Sequence, residues 1–295
     1  MPEGHSVHRL ARQFQDVFAG ERLQVSSPQG RFAEGAALLD GHVLEEAMAH
    51  GKQLFLQFGN GLSLHVHLGL YGAWSFGGDS SFTGASSIGA PRRIGERETG
   101  PAGDEPVYTG PPPPVGAVRV RLVSGHGWAD LRGATTCAAI TADDVRSVLD
   151  RLGPDPLRNL PGDREEFVRR LRRRKTAVGL LMMDQSVLAG VGNIYRAEVL
   201  FRQAVDPWTP GTAIDAETAG RLWDDTVSTM SDGVRDGRIV TTPPRLWTGG
   251  HGSAPDADAH FVYKRQGLPC RACGTLVGMT EIGARKLYWC PACQV

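Results

Sequence analysis

The stretch DQSVLAGVGNIY, residues 184–195, decides how the second half of the chain folds. Apolar residues at helical spacing precede it over 178–184 and follow it over 194–201, and its glycines make a tight connection between the two. This order predicts a helix–turn–helix-like unit. Backbone N–H groups at the start of its second helix can hold a phosphate. Asn193 is therefore predicted either as a helix cap alone or as a cap that also binds phosphate.

Four of the five cysteines lie near the end of the chain, as Cys270-x2-Cys273 and Cys290-x2-Cys293. Each CxxC turn offers two thiolates, and two such turns on a β-hairpin close a tetrahedral site for one structural Zn²⁺. No ligand position stays open, so a catalytic metal is not expected. The start of the chain lacks a secretory apolar segment, which predicts a cytosolic protein whose paired cysteines bind metal rather than form disulfides.

Basic residues concentrate in the second half of the chain, although the 32 Lys and Arg balance the 32 Asp and Glu overall. This distribution is typical of a protein that binds a polyanion. Six of the seven residues over 169–175 are basic, and most of them are expected to be solvated because they surround a helix. Arg285 and Lys286 lie between the cysteine pairs. The sequence is equally compatible with two roles for them, contact with phosphate or a place in a solvated turn.

The chain begins Met1-Pro2-Glu3-Gly4, a start that allows removal of Met1. The exposed secondary amine of Pro2 would then titrate near pH ~8 and be partly neutral at physiological pH. Such an amine can attack an aldehyde carbon and form a charged iminium that acts as an electron sink. Glu3 stands beside it and can move protons. Many proteins begin in this way without such chemistry, so the rest of the chain must decide.

Periodicity divides the chain into regions of different character. Residues 1–141 predict a helix capped by Ser6 and a mostly antiparallel β domain, whereas the residues from 142 onward are mainly helical. Half of residues 77–116 are Gly, Pro or Ser, which predicts a mobile insertion. No run of 18 apolar residues occurs, so no membrane span is expected.

Four of these motifs occur in the same order in one family. Pro2-Glu3-Gly4, the break GPDPL at 153–157, the stretch 188–195 and the terminal CPACQ at 290–294 together resemble the formamidopyrimidine-DNA glycosylase/endonuclease VIII family of base-excision repair enzymes. The resemblance covers nearly the whole chain outside 77–116. It implies an α+β fold with an N-terminal helix and β-sandwich domain, a helix–two-turn–helix domain and a zinc finger, expected over 1–141, 142–239 and 240–295.

The resemblance also implies roles for individual residues. Pro2 matches the family's nucleophile, Glu3 its acid/base, Lys52 a phosphate-contacting lysine and Arg285 the zinc-finger arginine. These are the predicted catalytic residues. The predicted DNA-binding residues are Asn193 at the two-turn motif, Lys286 on the finger, and Leu70 and Tyr71, which resemble the wedge of endonuclease VIII enzymes.

Three further features bear on the contact with the orphan base, on the lining of the site and on the branch of the family. Gly69 stands where a glutamine often precedes the wedge. His5 and His8 can line the site, although His8 also fits a packed or solvated helix position. The start Pro-Glu-Gly-His-Ser favours the endonuclease VIII branch.

The expected function is a bifunctional DNA glycosylase/AP lyase that prefers oxidised pyrimidines and cuts the strand by β- and δ-elimination. An 8-oxoguanine/formamidopyrimidine enzyme and a non-catalytic damaged-DNA-binding protein on the same fold stay open as alternatives. The expected partner is damaged double-stranded DNA, with single strands as an open alternative. A monomer in the bacterial cytoplasm, associated with the nucleoid through DNA, is expected.

Overall fold

The computed structural model describes residues 2–90, 110–249 and 252–295. They belong to two compact units, Met1–Asp150 and Arg151–Val295. Helices and antiparallel sheets both occur, which confirms the predicted α+β class. Among the described residues, no helix is both long and apolar enough to cross a membrane.

The first unit begins with helix α1, Gly4–Phe18, whose apolar face is fully buried at Leu10, Phe14 and Phe18. The predicted cap at Ser6 is wrong, because Glu3, three residues earlier, occupies the N-cap position. The backbone N–H of Ser6 instead donates to the carbonyl oxygen of Glu3, at 3.0 Å. This earlier start places Glu3 at the positive end of the helix.

Two antiparallel sheets and α1 enclose the core of the first unit. The strands are β1 Gln24–Ser26, β2 Leu44–His50, β3 Gln53–Phe58, β4 Ser63–His67, β5 Ala73–Gly78, β6 Ser87–Gly89, β7 Val118–Val123, β8 Gly127–Arg132 and β9 Thr136–Ile140. A five-stranded sheet has the order β1-β7-β8-β5-β6, and a four-stranded sheet has the order β2-β3-β4-β9. Apolar side chains from both sheets form one core, in which Trp74 meets Phe14 edge-on with ring centroids 4.8 Å apart.

Two short helices complete the first unit, α2 at Ala33–Leu39 and α3 at Ala142–Leu149. Thr141 begins α3 with a capping box, in which its hydroxyl accepts from the Asp144 N–H and the Asp144 carboxylate accepts in return. Helix α3 contacts β4 and belongs to the first unit. The second unit therefore begins at Arg151, later than the start at 142 that the change to helical periodicity predicts.

The prediction of one mobile insertion over 77–116 is wrong for its described part. Gly77 and Gly78 complete β5, and β6 pairs with β5. The side-chain amide of Gln13 on α1 holds the backbone of Ala85 through two hydrogen bonds, at 2.9 and 2.8 Å. Composition shows how little this segment can bury, but it does not show which distant side chains bind its backbone. Residues 91–109 lie outside the described part of the chain.

The proline-rich end of the same segment is also bound to the sheet. The buried Arg121 donates to the carbonyl oxygen of Pro112 at 2.8 Å, and Arg132 donates to that of Val115 at 2.7 Å. Both guanidinium groups also contact the buried carboxylate of Asp130, at 2.7 and 3.1 Å. Proline has no N–H but keeps its carbonyl, so arginine donors can fix such a segment without a strand ladder.

The second unit packs four helices around a core that contains Phe167, Tyr195 and Trp223. Helix α7 begins with an N-cap, as the Asp215 carboxylate accepts from the Thr218 N–H at 2.7 Å. The hairpin that follows the helices forms its own two-stranded sheet. The elements are α4 Asp163–Arg172, α5 Val178–Leu181, α6 Asn193–Arg202, α7 Ala216–Asp236, β10 Gly278–Ile282 and β11 Arg285–Trp289.

Candidate active site and nucleic-acid interface

Pro2 and Glu3 are both buried at the start of α1. Glu3 has an extended backbone, with φ −123° and ψ −178°, and its side chain is fully buried. The helix dipole favours negative charge at this position. The structure thus fixes a carboxylate next in sequence to the residue predicted as the nucleophile.

His5 lies one residue into α1 and is 5% exposed. Burial, helped by the positive charge of Arg9, lowers the pKa of His5 to about 3. Nε2 of His5 lies 3.2 Å from Oγ of Ser6. His5 is therefore a neutral hydrogen-bonding group beside Pro2 and Glu3, whereas His8 is only half-buried.

Lys52 lies in the turn between β2 and β3, next to Gly51, whose φ of +57° favours glycine. The pairing of β3 with β4 sets Gln53 opposite His67. Burial lowers the pKa of His67, and the positive charge of Lys52 lowers it further. Sequence reasoning missed His67 as a neighbour of Lys52. The alternation of polar and apolar residues in β4 is visible in the sequence. Only the pairing of β4 with β3 shows that His67 lies at the end of the strand next to the turn that carries Lys52.

The predicted wedge residues lie in the turn between β4 and β5. Tyr71 is 77% exposed and Leu70 is 37% exposed. Gly69 has φ +66°, and a Cβ there would lie 2.5 Å from Cγ2 of Thr135. Its N–H contacts Nδ1 of His67 at 3.2 Å, and the same ring nitrogen lies 2.9 Å from Oγ1 of Thr135. The turn is thus anchored at its base with two large side chains exposed at its tip.

Asn193 is the first residue of α6 but not its cap. Gly192 occupies the N-cap position, and no side chain caps the helix, so the predicted cap is wrong. The Asn193 side chain is 6% exposed and donates from Nδ2 to the carbonyl oxygen of Lys286 at 2.9 Å. The buried Arg196 donates to Oδ1 of Asn193 and, at 3.0 Å, to the same Lys286 carbonyl. Asn193 is therefore bound to the finger hairpin.

Glu198 is a second residue that sequence reasoning missed. Its fully buried carboxylate accepts from the N–H groups of Phe261, Val262 and Tyr263, at 2.8, 2.9 and 2.8 Å. The hydroxyl of Thr241 donates to it at 2.5 Å. Four donors compensate the burial of the charge and fix the chain entering the finger to α6. A glutamate on the buried side of an apolar helix was the signal in the sequence.

The four cysteines predicted to bind zinc come together in the structure. Their Sγ atoms all lie within 4.8 Å of one another, with Cys273 and Cys290 at 3.5 Å and Cys270 and Cys293 at 4.0 Å. A tetrahedral Zn²⁺ with Zn–S bonds of about 2.3 Å needs sulfur atoms about 3.8 Å apart. The donor set therefore fits one structural Zn²⁺ and leaves no position for water.

Arg285 and Lys286 begin β11, directly after the hairpin turn. Gly283 and Ala284 form this two-residue turn with φ +57° and +56°, the backbone of a tight type I′ hairpin. Both basic side chains are exposed, and Glu281 pairs with Lys286 across the hairpin. The hairpin that zinc closes thus presents two cations near the start of α6.

Three family models match successive parts of the chain. The formamidopyrimidine-DNA glycosylase N-terminal domain matches residues 1–125, the formamidopyrimidine-DNA glycosylase H2TH domain matches 152–243, and the zinc finger found in FPG and IleRS matches 267–295. The last match agrees with the four clustered cysteines, and the protein carries a zinc-finger motif for one zinc ion.

Curated relatives match over the full length. Endonuclease 8 1 of Mycobacterium tuberculosis is 42% identical over 294 residues, with 100% of both chains covered. Formamidopyrimidine-DNA glycosylase of Bordetella petrii is 31% identical, with 100% of this chain and 99% of the relative covered.

Solved structures share the fold. The MutM (Fpg) protein of Thermus thermophilus matches with a TM-score of 0.72 and 26% identity, covering 99% of this chain and 98% of its own. The Lactococcus lactis Fpg in complex with DNA containing an abasic site matches with a TM-score of 0.72 and 19% identity, covering 99% of each chain.

The predicted family is confirmed by full-length identity, domain order and zinc-ligand geometry together. This chain belongs to the formamidopyrimidine-DNA glycosylase/endonuclease VIII family, whose members are base-excision repair DNA glycosylases with AP lyase activity.

Proposed function

We propose that this protein removes oxidised pyrimidines from duplex DNA in preference to oxidised purines, through a covalent intermediate on Pro2. The buried Pro2–Glu3 pair at the start of α1 carries the proposal of a covalent mechanism. The pyrimidine preference is supported by the exposed Leu70-Tyr71 turn and by the 42% identity with a mycobacterial endonuclease 8, against 31% with a formamidopyrimidine-DNA glycosylase.

In the proposed reaction, the damaged nucleotide first leaves the stack. The Pro2 nitrogen attacks C1′ of its sugar, and the bond from C1′ to the base breaks, so the base leaves with the bonding electrons and gains a proton. Glu3 protonates the ring oxygen O4′, which opens the sugar and leaves an iminium between Pro2 and C1′. A proton lost from C2′ then drives β-elimination of the 3′ phosphate. A δ-elimination of the 5′ phosphate follows, and water releases Pro2 from the iminium.

The remaining predicted residues are assigned to binding. Lys52, Arg285 and Lys286 contact backbone phosphates, since all are cations in turns or at a hairpin end. Asn193 contributes at the start of α6, where its amide is already held near Lys286. Zinc stabilises the hairpin and takes no part in the reaction. In this proposal, Leu70 and Tyr71 fill the space left by the extruded base.

We also propose that a single chain carries out the reaction, on duplex DNA of the bacterial nucleoid in the cytoplasm. All residues assigned above come from one chain, and the relatives described above are bacterial. Sedimentation of the protein with and without a duplex oligonucleotide tests this, with one protein per lesion as the expected stoichiometry.

Borohydride trapping on a panel of lesion duplexes tests the main proposal. Thymine glycol and 5-hydroxyuracil should be excised and trapped faster than 8-oxoguanine opposite cytosine at the same enzyme concentration. The reverse order would favour an 8-oxoguanine enzyme. Specific binding without any trapped product, on any lesion or abasic site, would favour a non-catalytic damaged-DNA-binding protein.

A further inference from the structure

Two tryptophans form an exposed aromatic ledge on the second unit, which we define as Trp208 and Trp289. Their ring centroids lie 4.6 Å apart with the planes at 79°, and Trp208 is 41% exposed. Tryptophan is usually largely buried, so an indole with this much open surface is unusual. None of the roles proposed above uses either residue.

The ledge is held rigidly. The backbone N–H of Trp208 donates to Oδ1 of Asp206 at 3.1 Å, and this hydrogen bond fixes the turn that presents the ring. The carbonyl oxygen of the preceding Pro207 accepts from the Gly179 N–H at 2.8 Å. Across the hairpin, a Cβ at Gly278 would lie 2.9 Å from the Trp289 ring, so only glycine lets that indole pack as it does. A rigid aromatic surface loses little entropy when a ligand binds.

A line of exposed cations approaches the ledge along the backbone. Around the bridge of Ala177 with Pro210, the backbone N–H groups of Thr212 and Gly211 donate to the carbonyl oxygens of Arg174 and Thr176. The N–H of Val178 donates to the carbonyl oxygen of Thr209. Residues 174–178 therefore lie alongside 209–212, with the cations at one end of the paired segment and Trp208 just beyond the other. The cationic strip, defined as Arg173, Arg174 and Lys175, is exposed to solvent at all three residues.

The strip differs from the basic residues just before it. Arg169 and Arg170 share the single carboxylate of Glu166, at 2.5 and 2.6 Å, and Arg172 donates to the carbonyl oxygen of Ile214 at 3.0 Å. In the described ranges of the chain, by contrast, no carboxylate lies within ion-pair distance of Arg173, Arg174 or Lys175. The cationic strip therefore adds three charges without a carboxylate partner at one end of the paired segment that leads to the aromatic ledge.

We infer that the cationic strip and the aromatic ledge form an accessory site for single-stranded nucleic acid, with bases stacked on the ledge and phosphates on the strip. Aromatic faces beside a basic track are the combination that binds unpaired strands without sequence preference. Three uncompensated cations favour a phosphate backbone over the largely uncharged core of a protein interface. The inference rests on the proposed function, and it would let the enzyme hold an unpaired strand next to a lesion.

Binding of the full-length, zinc-loaded protein to an undamaged oligothymidine tests the inference by fluorescence anisotropy. Trp208→Leu keeps apolar bulk but removes the aromatic face, so affinity should fall by about 5- to 160-fold, the range for one lost base stack. Trp208→Phe should stay within about threefold of the parent protein, because it still stacks. Neither change should alter affinity for a blunt duplex carrying an abasic analogue by more than about twofold.

Salt dependence tests the strip separately. Lys175→Ala should reduce the slope of log affinity for oligothymidine against log salt by about 0.7, as for one lost phosphate contact on a single strand. Arg245→Ala removes another exposed cation of the same unit and serves as the matched control, with no change expected.

Three results would overturn the accessory site. The first is an equal loss on the blunt duplex and on oligothymidine. The second is a Phe variant as weak as the Leu variant. The third is self-association of the protein that Trp208→Leu abolishes while oligothymidine binding stays intact, because the ledge would then be a protein interface. Lyase activity on an abasic duplex is measured in the same samples, so failure of the proposed function is seen independently.

Discussion

The two units hold their predicted site residues in different ways. In the first unit, Pro2, Glu3 and His5 are neighbours in sequence, and one helix start buries all three. In the second unit, the side chain of Asn193 is held by the carbonyl of Lys286, 93 residues further along the chain. The residues proposed for the chemistry are thus fixed locally, whereas the residue proposed to bind phosphate depends on a distant hairpin.

This difference means that the two functions should fail separately. A change at the start of α1 should stop the chemistry and leave binding in place. A change at the zinc site should loosen the hairpin and weaken binding while the first unit stays folded. The five predictions below test this separation, from the largest expected effect to the smallest.

Blocking the Pro2 nitrogen should abolish both base removal and strand cleavage, because no other group is assigned to the covalent bond. An N-terminal tag or retained Met1 provides the block, and borohydride trapping on an abasic duplex measures it. The same tag after Val295, which is 91% exposed, is the control and should leave trapping intact. A blocked protein that still traps would place the nucleophile elsewhere.

Glu3→Gln should lower excision of a damaged base by roughly 10²- to 10⁴-fold, the usual contribution of a general acid. At a preformed abasic site the sugar already equilibrates with its open aldehyde, so the variant should keep partial lyase activity and trapping. One variant is compared on two oligonucleotides. Equal losses on both would contradict the separate roles of Pro2 and Glu3.

Cys290→Ser should release zinc and lower duplex affinity by about 30- to 160-fold, since two or three phosphate contacts worth about 1 kcal/mol each depend on the hairpin. The fold of the first unit should persist, because its core is separate. Metal analysis measures the bound zinc, anisotropy measures the affinity for duplex DNA, and tryptophan emission measures folding. Cys137→Ser, at a cysteine outside the zinc cluster, is the control. Undiminished affinity in a verified zinc-free protein would refute this dependence.

His5→Asn should flatten the acid limb of the stability curve. The pKa of His5 falls from 6.5 in the unfolded chain to about 3 in the folded protein, so the unfolded state binds one more proton between these values. The contribution of His5 to the free energy of unfolding is therefore fully present above pH 6.5. As the pH falls below 6.5, this contribution decreases by at most about 1.4 kcal/mol per pH unit. Urea titrations at several pH values measure the slope.

His126→Asn is the matched control for His5, with the opposite sign. The hydrogen bond and charge of Asp79 raise the pKa of His126 above 6.5. Its stabilising contribution is therefore present below pH 6.5 and is lost as the pH rises through the raised value. An unchanged acid limb in His5→Asn would mean that His5 is not held neutral by burial.

Arg285→Ala should have the smallest effect, a uniform loss of affinity for all duplex sequences and a salt slope reduced by about one. Its side chain is exposed at the hairpin end, so folding should not change. Anisotropy at several salt concentrations, on two duplexes of unrelated sequence, measures the affinity and its salt slope. A loss confined to one sequence would mean that Arg285 reads bases.

Much of the fold was predictable because its signals are local. Cysteine spacing predicted a zinc site that the sulfur distances fit, and the glycine-rich connection predicted the helices on either side of it. Helical periodicity predicted α1 and α7, though the start of α1 was misplaced at Ser6. Wrong cap assignments at Ser6 and Asn193 share one cause, since a favourable capping residue does not show where the backbone becomes helical.

The sequence by itself determined the zinc-ligand set and the order of domains, because these depend on residue type and spacing. It is also the basis for proposing Pro2 and Glu3 as the residues that carry the chemistry. Only the tertiary structure decided that His67 lies beside Lys52, that Glu198 holds the chain entering the finger, and that Asn193 is bound to Lys286. The physical reason is that a buried polar group needs a specific partner, and hydrophobic periodicity records which face is buried but not what lies against it.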